Sequence, residues 1–291
     1  MRVAAVTLLA LAVVAPASGR AQPAPPDSPP LPGGAGAPAA RRQVPIARPL
    51  VLPAGACEAA LVVESNLTVR EVAEPLSLAP DLRCGVSPRI TLGVVHSARA
   101  LSLVDSGGGL CLTGDDDGCT RPYDGGAVDA LADLTGPGRA AAAARARLVV
   151  RSLEPFKPSL RLGALVRLRA GRVALLLDPH VSLALAHERL GNRDAAALPA
   201  YLEILIGSRV LLHLHSGVRG ELDGFDEKFE IPIAAGVLVE LSPAWDLSLE
   251  AGFNQLLGPQ NTFKQRHGAV AVTYRFAIAP PRPAARSYTA R

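Results

Sequence analysis

The feature that most constrains this chain is the alternation between Ser159 and Ala186, SLRLGALVRLRAGRVALLLDPHVSLALA. Leu160, Leu162, Ala164, Val166 and Leu168 fall on one parity, and Arg161, Gly163, Leu165, Arg167 and Arg169 on the other. After Ala170-Gly171 the pattern resumes: Val173, Leu175, Leu177, Val181, Leu183 and Leu185 alternate with Ala174, Leu176, Asp178, His180, Ser182 and Ala184. Side chains of a strand point to opposite faces with period two, so each half shows one apolar face and one charge-bearing face. A membrane helix over the same residues would place Arg161, Arg167, Arg169 and Arg172 in hydrocarbon, at roughly 2.5–3.5 kcal/mol each near the bilayer centre. Strands escape that cost by turning the arginines away from lipid. The stretch reads as two strands of a membrane β-barrel.

Composition agrees. Hydrophobic residues make up 49% of the 291 and charged residues 19%, yet beyond the N-terminus no apolar run is long enough to span as a helix. Apolar content spread through alternating segments is the sequence form of a transmembrane barrel. The net charge of +4 belongs to the ends. Arg2, Arg20, Arg41 and Arg42 outnumber Asp27 before residue 46, and Arg282, Arg286 and Arg291 follow residue 276, so the middle is slightly acidic. No aromatic-basic motif accompanies the charge, which argues against nucleic acid as a partner.

Residues 1–21 read as an export signal: Arg2, an apolar core from Val3 to Val14, then small residues at Ala15, Ala17, Gly19 and Ala21. Export implies an oxidising compartment where cysteines can pair. Residues 22–45 are a Pro/Ala/Gly-rich disordered linker by composition, and residues 277–291 a disordered tail. Residues 46–276 are assigned to the barrel.

Within them twelve strands are predicted, at 57–70, 75–85, 89–104, 126–135, 141–153, 158–169, 172–187, 199–207, 209–220, 228–241, 246–256 and 266–276; ten or fourteen remain open. Most approach the ~9–11 residues a tilted strand needs to cross a bilayer. Connections after even-numbered strands are short (Val86-Ser87-Pro88, Ala170-Gly171 and Gly207-Ser208 among them), and several of the others are long, up to 105–125. That asymmetry is the plan of an all-β, antiparallel up-and-down barrel with turns in the periplasm, and an even count leaves both termini there. Two stretches strain the reading: Ala140–Ala144 favours helix, and 192–206 has room for a helical turn. Aromatic residues fall near strand ends, with Tyr201 placed near the outer ends and Trp245, Tyr274 and Phe276 near the inner ones, as interfacial girdles do.

The closing segment His267-Gly-Ala-Val-Ala-Val-Thr-Tyr-Arg-Phe276 resembles the terminal β-signal of outer-membrane barrel proteins, with Val270, Val272, Tyr274 and Phe276 on one face. Pro80–Val94 resembles a hairpin common in porin-like proteins of uncharacterised substrate. The resemblance covers about 46–276. It implies the outer membrane of a Gram-negative bacterium, and membrane lipid and the outer-membrane assembly machinery as partners. Its functional expectation is a porin-like channel or passive small-solute transporter, without a cofactor and without enzymatic activity.

Four cysteines form two pairs on this layout. A hairpin centred near residue 71 sets Cys57 opposite Cys84 on the lipid-facing parity, and Cys111 and Cys119 lie close together in the long loop. Disulfides are predicted for both. No histidine neighbours either pair, so no metal site is expected. Asp115, Asp116 and Asp117, with Asp124 nearby, read as a solvated acidic loop in preference to a calcium site.

The candidate functional residues lie on the inner parity. Arg145, Arg147, Arg151, Arg161, Arg167, Arg169 and Arg172 cluster on strands five to seven beside Asp129 and Asp133. Unpaired, such a ladder lines a pore that favours small anionic solutes; paired, it fills the lumen and leaves a plugged structural or adhesive barrel. His213 and His215 read as further lumen residues. His180-Val-Ser182 has the His-x-Ser spacing of lipid-cleaving barrels, with Asn192 as a conceivable orienting partner, but Leu183 and Leu185 claim the membrane side. A soluble β-sandwich is the remaining alternative, and it would need a second layer over the apolar rows.

Overall fold

The computed structural model describes residues 44–68, 72–97, 109–113, 123, 125–259 and 261–278. Strands are β1 (Ala56–Asn66), β2 (Leu76–Ser87), β3 (Ile90–Val95), β4 (Leu110–Cys111), β5 (Gly126–Asp133), β6 (Ala140–Leu153) and β7 (Phe156–Ala170). They continue as β8 (Val173–Leu177), β9 (His180–Ala184), β10 (Ala195–Ile206), β11 (Val210–Glu221), β12 (Ile231–Ser242), β13 (Trp245–Leu257) and β14 (Thr262–Ala277).

Each wall strand pairs antiparallel with the next, and β1 closes on β14 from Ala56↔Ala277 to Asn66↔His267. The closed wall has twelve staves, because β8 and β9 together form one and the two-residue β4 lies off the ring against β2. β8 and β9 keep a single register against both neighbours: Val166↔Leu177 and Gly163↔His180 on β7, Ala200↔Leu177 and Ala197↔His180 on β10. The interruption is Asp178-Pro179, where proline has no N–H to give the ladder. The step leans into β7 at Gly163, where an added Cβ would stand 2.3 Å from the Pro179 carbonyl oxygen.

Closure removes the open edges that make a flat sheet sticky. It also turns the period-two pattern into an inside and an outside. Leu162, Leu168, Leu183, Leu198, Leu212 and Leu249 are exposed on the outer surface. Their sequence neighbours Arg161, Ser182, Ala197, Leu211, Ser248 and Glu250 are buried. Outward positions of β5 to β13 carry no charge; on β14 that parity meets Lys264 and Arg266 only near its loop end. Among the described residues no helix is long and apolar enough to cross a membrane; the barrel crosses with strands.

The alanine run at the start of β6 is strand, not helix. Ala140 to Ala144 pair with Leu168 to Ala164 of β7, and Ala143 and Ala144 pair also with Asp133 and Ala132 of β5. Ladder bonds on both sides outweigh a helix preference of a few tenths of a kcal/mol per residue. The helical turn anticipated within 192–206 lies just upstream, as the 3₁₀ turn Glu188–Leu190, and β10 begins at Ala195 instead of residue 199. The expected strand over 89–104 is described as strand only to Val95.

At one end of the barrel the connections are 88–89, 134–139, 171–172, 207–209 and 243–244. This is the turn end. The opposite end carries longer connections, including 185–194 and 222–230, and is the loop end.

Candidate functional site

Residues 44–53 run inside the barrel at its turn end. Composition places 44 and 45 in a linker and 46–53 in the barrel region ahead of its first strand; in the structure these residues form a strap across the bore. The strap leaves β1 at Gly55, whose N–H donates to the Gly85 carbonyl at 2.8 Å, and Ala54 bridges Gly85. Gly85 lies on the inward parity of β2, and a Cβ there would stand 2.1 Å from the Pro53 carbonyl oxygen. Only glycine lets the strap lie against this wall. The Leu52 N–H donates to Thr91 Oγ1 at 2.7 Å. Val51 packs with Leu131, Ala143 and Leu165. Farther along, Ile46 is 1% exposed among Ala174, Leu205 and Leu211, on the next staves around the bore. The strap thus touches staves all around the lumen, and the small Ala143 and Ala174 make room for it.

Charge fixes its middle. Arg48 Nη1 donates to Asp246 Oδ2 at 2.6 Å, and Nη2 reaches Glu240 Oε2 and Asp246 Oδ1 at 3.1 Å each. Arg275 donates to the same Asp246 carboxylate, through Nη2 at 3.0 Å. Arg167 donates to the Arg48 carbonyl.

Beyond the strap one wall carries guanidinium groups. Asp129 stands directly across from Arg147, which grips it with Nε and Nη2 at 3.1 Å each. This two-point geometry gives the strongest carboxylate–guanidinium contact. Arg145 Nε lies 3.5 Å and Arg83 Nη2 3.6 Å from the same carboxylate. Arg145 also donates to Asp178, which the break between β8 and β9 presents to the lumen. Arg161 is 2% exposed on the same wall.

The facing wall carries imidazoles. His213 Nε2 and Glu250 Oε2 are 2.7 Å apart, and His267 Nε2 lies 3.7 Å from Glu250 Oε1. Gly236 makes room for the His213 ring: a Cβ would stand 2.4 Å from Nε2. His215 is 1% exposed and stacks on Tyr201, ring centroids 4.3 Å apart. A cavity of about 340 Å³ remains, lined by groups of both walls and the strap, among them Arg48, Arg83, Arg145, Glu203 and His213.

Arg145, Arg147, Arg161, Arg167, Asp129, His213 and His215 all border the lumen, and Arg151 and Arg169 share its parity. Arg172 does not: it stands exposed in the turn after β7, outside the bore. Asp133 is spent locally, its carboxylate accepting from the Gly136 N–H at 2.9 Å in the next turn. Tyr201, anticipated near the outer end of a strand, is mid-strand and inward, because β10 starts earlier than the alternation alone suggested.

His180 and Ser182 also face the lumen and do not bond each other. His180 Nδ1 lies 2.9 Å from the Asp178 carbonyl, and Ser182 Oγ has no partner among the described residues. Asn192 holds the nearby loop: it accepts from Ser159 Oγ at 2.7 Å and donates to the Pro158 and Ala186 carbonyls. A nucleophile needs its base within hydrogen-bond reach, and these three are not so arranged. Among the described residues no cluster could hold a metal ion.

Cys57 and Cys84 are disulfide-bonded across β1 and β2, Cα atoms 4.1 Å apart. Cys119, the expected partner of Cys111, lies outside the described residues, as do Asp115, Asp116, Asp117 and Asp124, the export signal, most of the linker and most of the tail.

Compared with solved structures, the chain is similar to the KdgM porin in complex with disordered oligogalacturonate. Identity is 10% and the TM-score 0.53, over 75% of this chain and 99% of that one. It is also similar to the NanC porin, with 5% identity and a TM-score of 0.55 over 74% and 98% of the two chains. At these identities the likeness is one of fold: a porin-like, closed antiparallel barrel of the outer-membrane type. No family model and no curated protein matches the sequence.

Proposed function

We propose that the chain is an outer-membrane channel of the porin kind for small solutes bearing negative charge, described here in a form closed by its own strap. The turn end would face the periplasm, as turns of such barrels do. The carrying observation is the strap itself. It is held by two small apolar clusters and by Arg48, and no ladder of backbone bonds knits it into the wall. A segment docked this way can leave without unfolding the barrel. One wall of the bore holds Arg83, Arg145, Arg147 and Arg161 against Asp129 and Asp178, a local excess of cations that would draw anions there, while Glu240 and Asp246, freed of Arg48, would keep Arg275. The oligogalacturonate in the KdgM complex is a polycarboxylate, which agrees with that solute class.

Planar-bilayer recording tests this. The full chain should give few or small current steps, and a variant lacking residues 44–53 should give frequent, larger, anion-preferring ones. Heat-modifiable gel migration checks that each is folded. A folded deletion variant without steps would overturn the channel reading.

A second reading is favoured by one observation. Arg147 and Arg161 are each only 2% exposed, so the lumen is packed well beyond the strap. A plugged structural or adhesive barrel would look like this, and it predicts silence from both proteins. We expect no covalent chemistry at His180 and Ser182; the test is that Ser182→Ala leaves lipid hydrolysis by the purified barrel at background.

A further inference from the structure

Four of the five turns at the turn end carry an arginine at the same place, immediately before the following strand. They are Arg89, Arg139, Arg172 and Arg209. In each case the backbone carbonyl of the arginine accepts a bond from a neighbouring strand: from Asp133 N at 2.8 Å, Arg169 N at 2.6 Å, Leu205 N at 2.8 Å and Glu240 N at 2.8 Å respectively. The backbone is fixed in the ladder and the side chain is left at the rim. All four residues are exposed, and none has an ion-pair partner among the described residues. The five turns contain no carboxylate. The nearest acids on adjoining strands are engaged elsewhere, Asp133 with the Gly136 N–H and Glu240 and Asp246 with Arg48. The loop end is different: Glu154, Glu188, Asp194, Asp223 and Asp226 stand among its cations.

The depth of this ring in a bilayer is marked independently. Trp245 and Tyr274 point outward at the turn end, ring centroids 4.6 Å apart, with Phe276 stacked 5.6 Å beyond. Trp and Tyr settle at the level of lipid headgroups. Trp245 opens β13 directly after its turn, so the arginines of the other turns lie at that level too.

We propose that Arg89, Arg139, Arg172 and Arg209 form an open ring, over the turns between β2 and β11, that binds the phosphate headgroups of anionic phospholipids at the turn end of the barrel. Exposed, unpaired cations spaced around a cylinder at headgroup depth have no protein anion to meet, whereas an anionic leaflet supplies one at each turn. A guanidinium also suits the geometry, since its planar fork of N–H donors matches phosphate oxygens. The inference rests on the barrel lying in a bilayer. It does not depend on whether the bore conducts.

Trp245 is the sole tryptophan of the chain and sits at this rim, so it reports the lipids around it. The full-length folded protein is placed in mixed vesicles of phosphatidylcholine and phosphatidylglycerol, with bromine on the acyl chains of one lipid or the other. At equal mole fraction, brominated phosphatidylglycerol should quench Trp245 more strongly. The relative affinity should be about fivefold, the factor for one cation beside an anionic surface, and should shrink as salt is raised. The fourfold variant R89Q/R139Q/R172Q/R209Q should lose the preference, and the corresponding lysine variant should keep most of it. Equal quenching by the two lipids in the wild type, or a preference that survives all four glutamines, overturns the proposal. Equal quenching with salt-sensitive capture of an acidic soluble protein assigns the ring to a protein partner and overturns it too. Failure of the protein to enter vesicles at all counts against the barrel's membrane placement instead, and heat-modifiable migration tells the cases apart.

Discussion

The two ends of the bore are filled by different physics. At the turn end the occupant is a separate length of chain, held by apolar contact of Ile46 and Val51 with small clusters on neighbouring staves and by polar bonds of Arg48 and Leu52. Toward the loop end the wall fills its own interior, with Asp129 shared among Arg147, Arg145 and Arg83 and with Glu250 among imidazoles. Apolar docking has no preferred orientation and can be undone piece by piece. A buried carboxylate gripped by several guanidinium groups cannot lose its partner without leaving charge uncompensated. The first arrangement is the easier to displace, and the second holds the shape and field of the lumen.

That contrast can be broken by substitution. The largest effect should come from Asp129→Asn, which strips Arg145, Arg147 and Arg83 of their common anion. Loss of a buried ion-pair partner costs about 3–5 kcal/mol, so the urea midpoint for barrel unfolding should fall sharply. An unchanged midpoint would mean that water already screens the network. Leu162→Arg, at an exposed position midway along β7, should cost about 2–4 kcal/mol in lipid. A much smaller loss would show that this face is not the one in hydrocarbon. Ile46→Ala should weaken the strap's hold by about 2 kcal/mol, the low end for such a truncation. The barrel midpoint should stay nearly constant while current steps become more frequent. If midpoint and current change together, strap and wall are one cooperative unit and the contrast fails. Arg48→Ala should act in the same sense and less strongly, about 1.5 kcal/mol for lost charged hydrogen bonds, because Arg275 still neutralises Asp246.

Much of the wall was legible in the sequence, and the reason is the period of a strand. Once Arg161 is turned inward, Leu162 must face outward, and a stave with Val270, Val272, Tyr274 and Phe276 on one face has little other use. A hairpin centred near residue 71 is enough to set Cys57 opposite Cys84. What alternation cannot convey is what fills the interior. A pattern of two assigns each residue a side, but it is silent on whether another segment lies there. By composition the strap is the end of a linker and the approach to the first strand, since Pro45, Pro49 and Pro53 punctuate it as they do a loop. The hints were on the facing strands: Gly85, Ala143 and Ala174 are smaller than a lumen filled by wall side chains alone requires. Local chemistry at strand ends was similarly hard to see. Asp133 and Arg172 have the right parity for the bore, but each falls at or past the last ladder bond, where a turn takes over. Pro179 interrupts hydrogen bonding without shifting register, so β8 and β9 look continuous in pattern and divided in space.

The bridge between Cys57 and Cys84 stands two positions past Gly55, where the strap departs from the barrel. It rivets the root of the strap to the neighbouring strand, so any withdrawal must pivot upstream of residue 57 and leave the seam between β1 and β14 untouched. A leash of ten residues hinged there extends at most about 35 Å. Everything residues 44–53 themselves could touch after release lies within that radius of the rim.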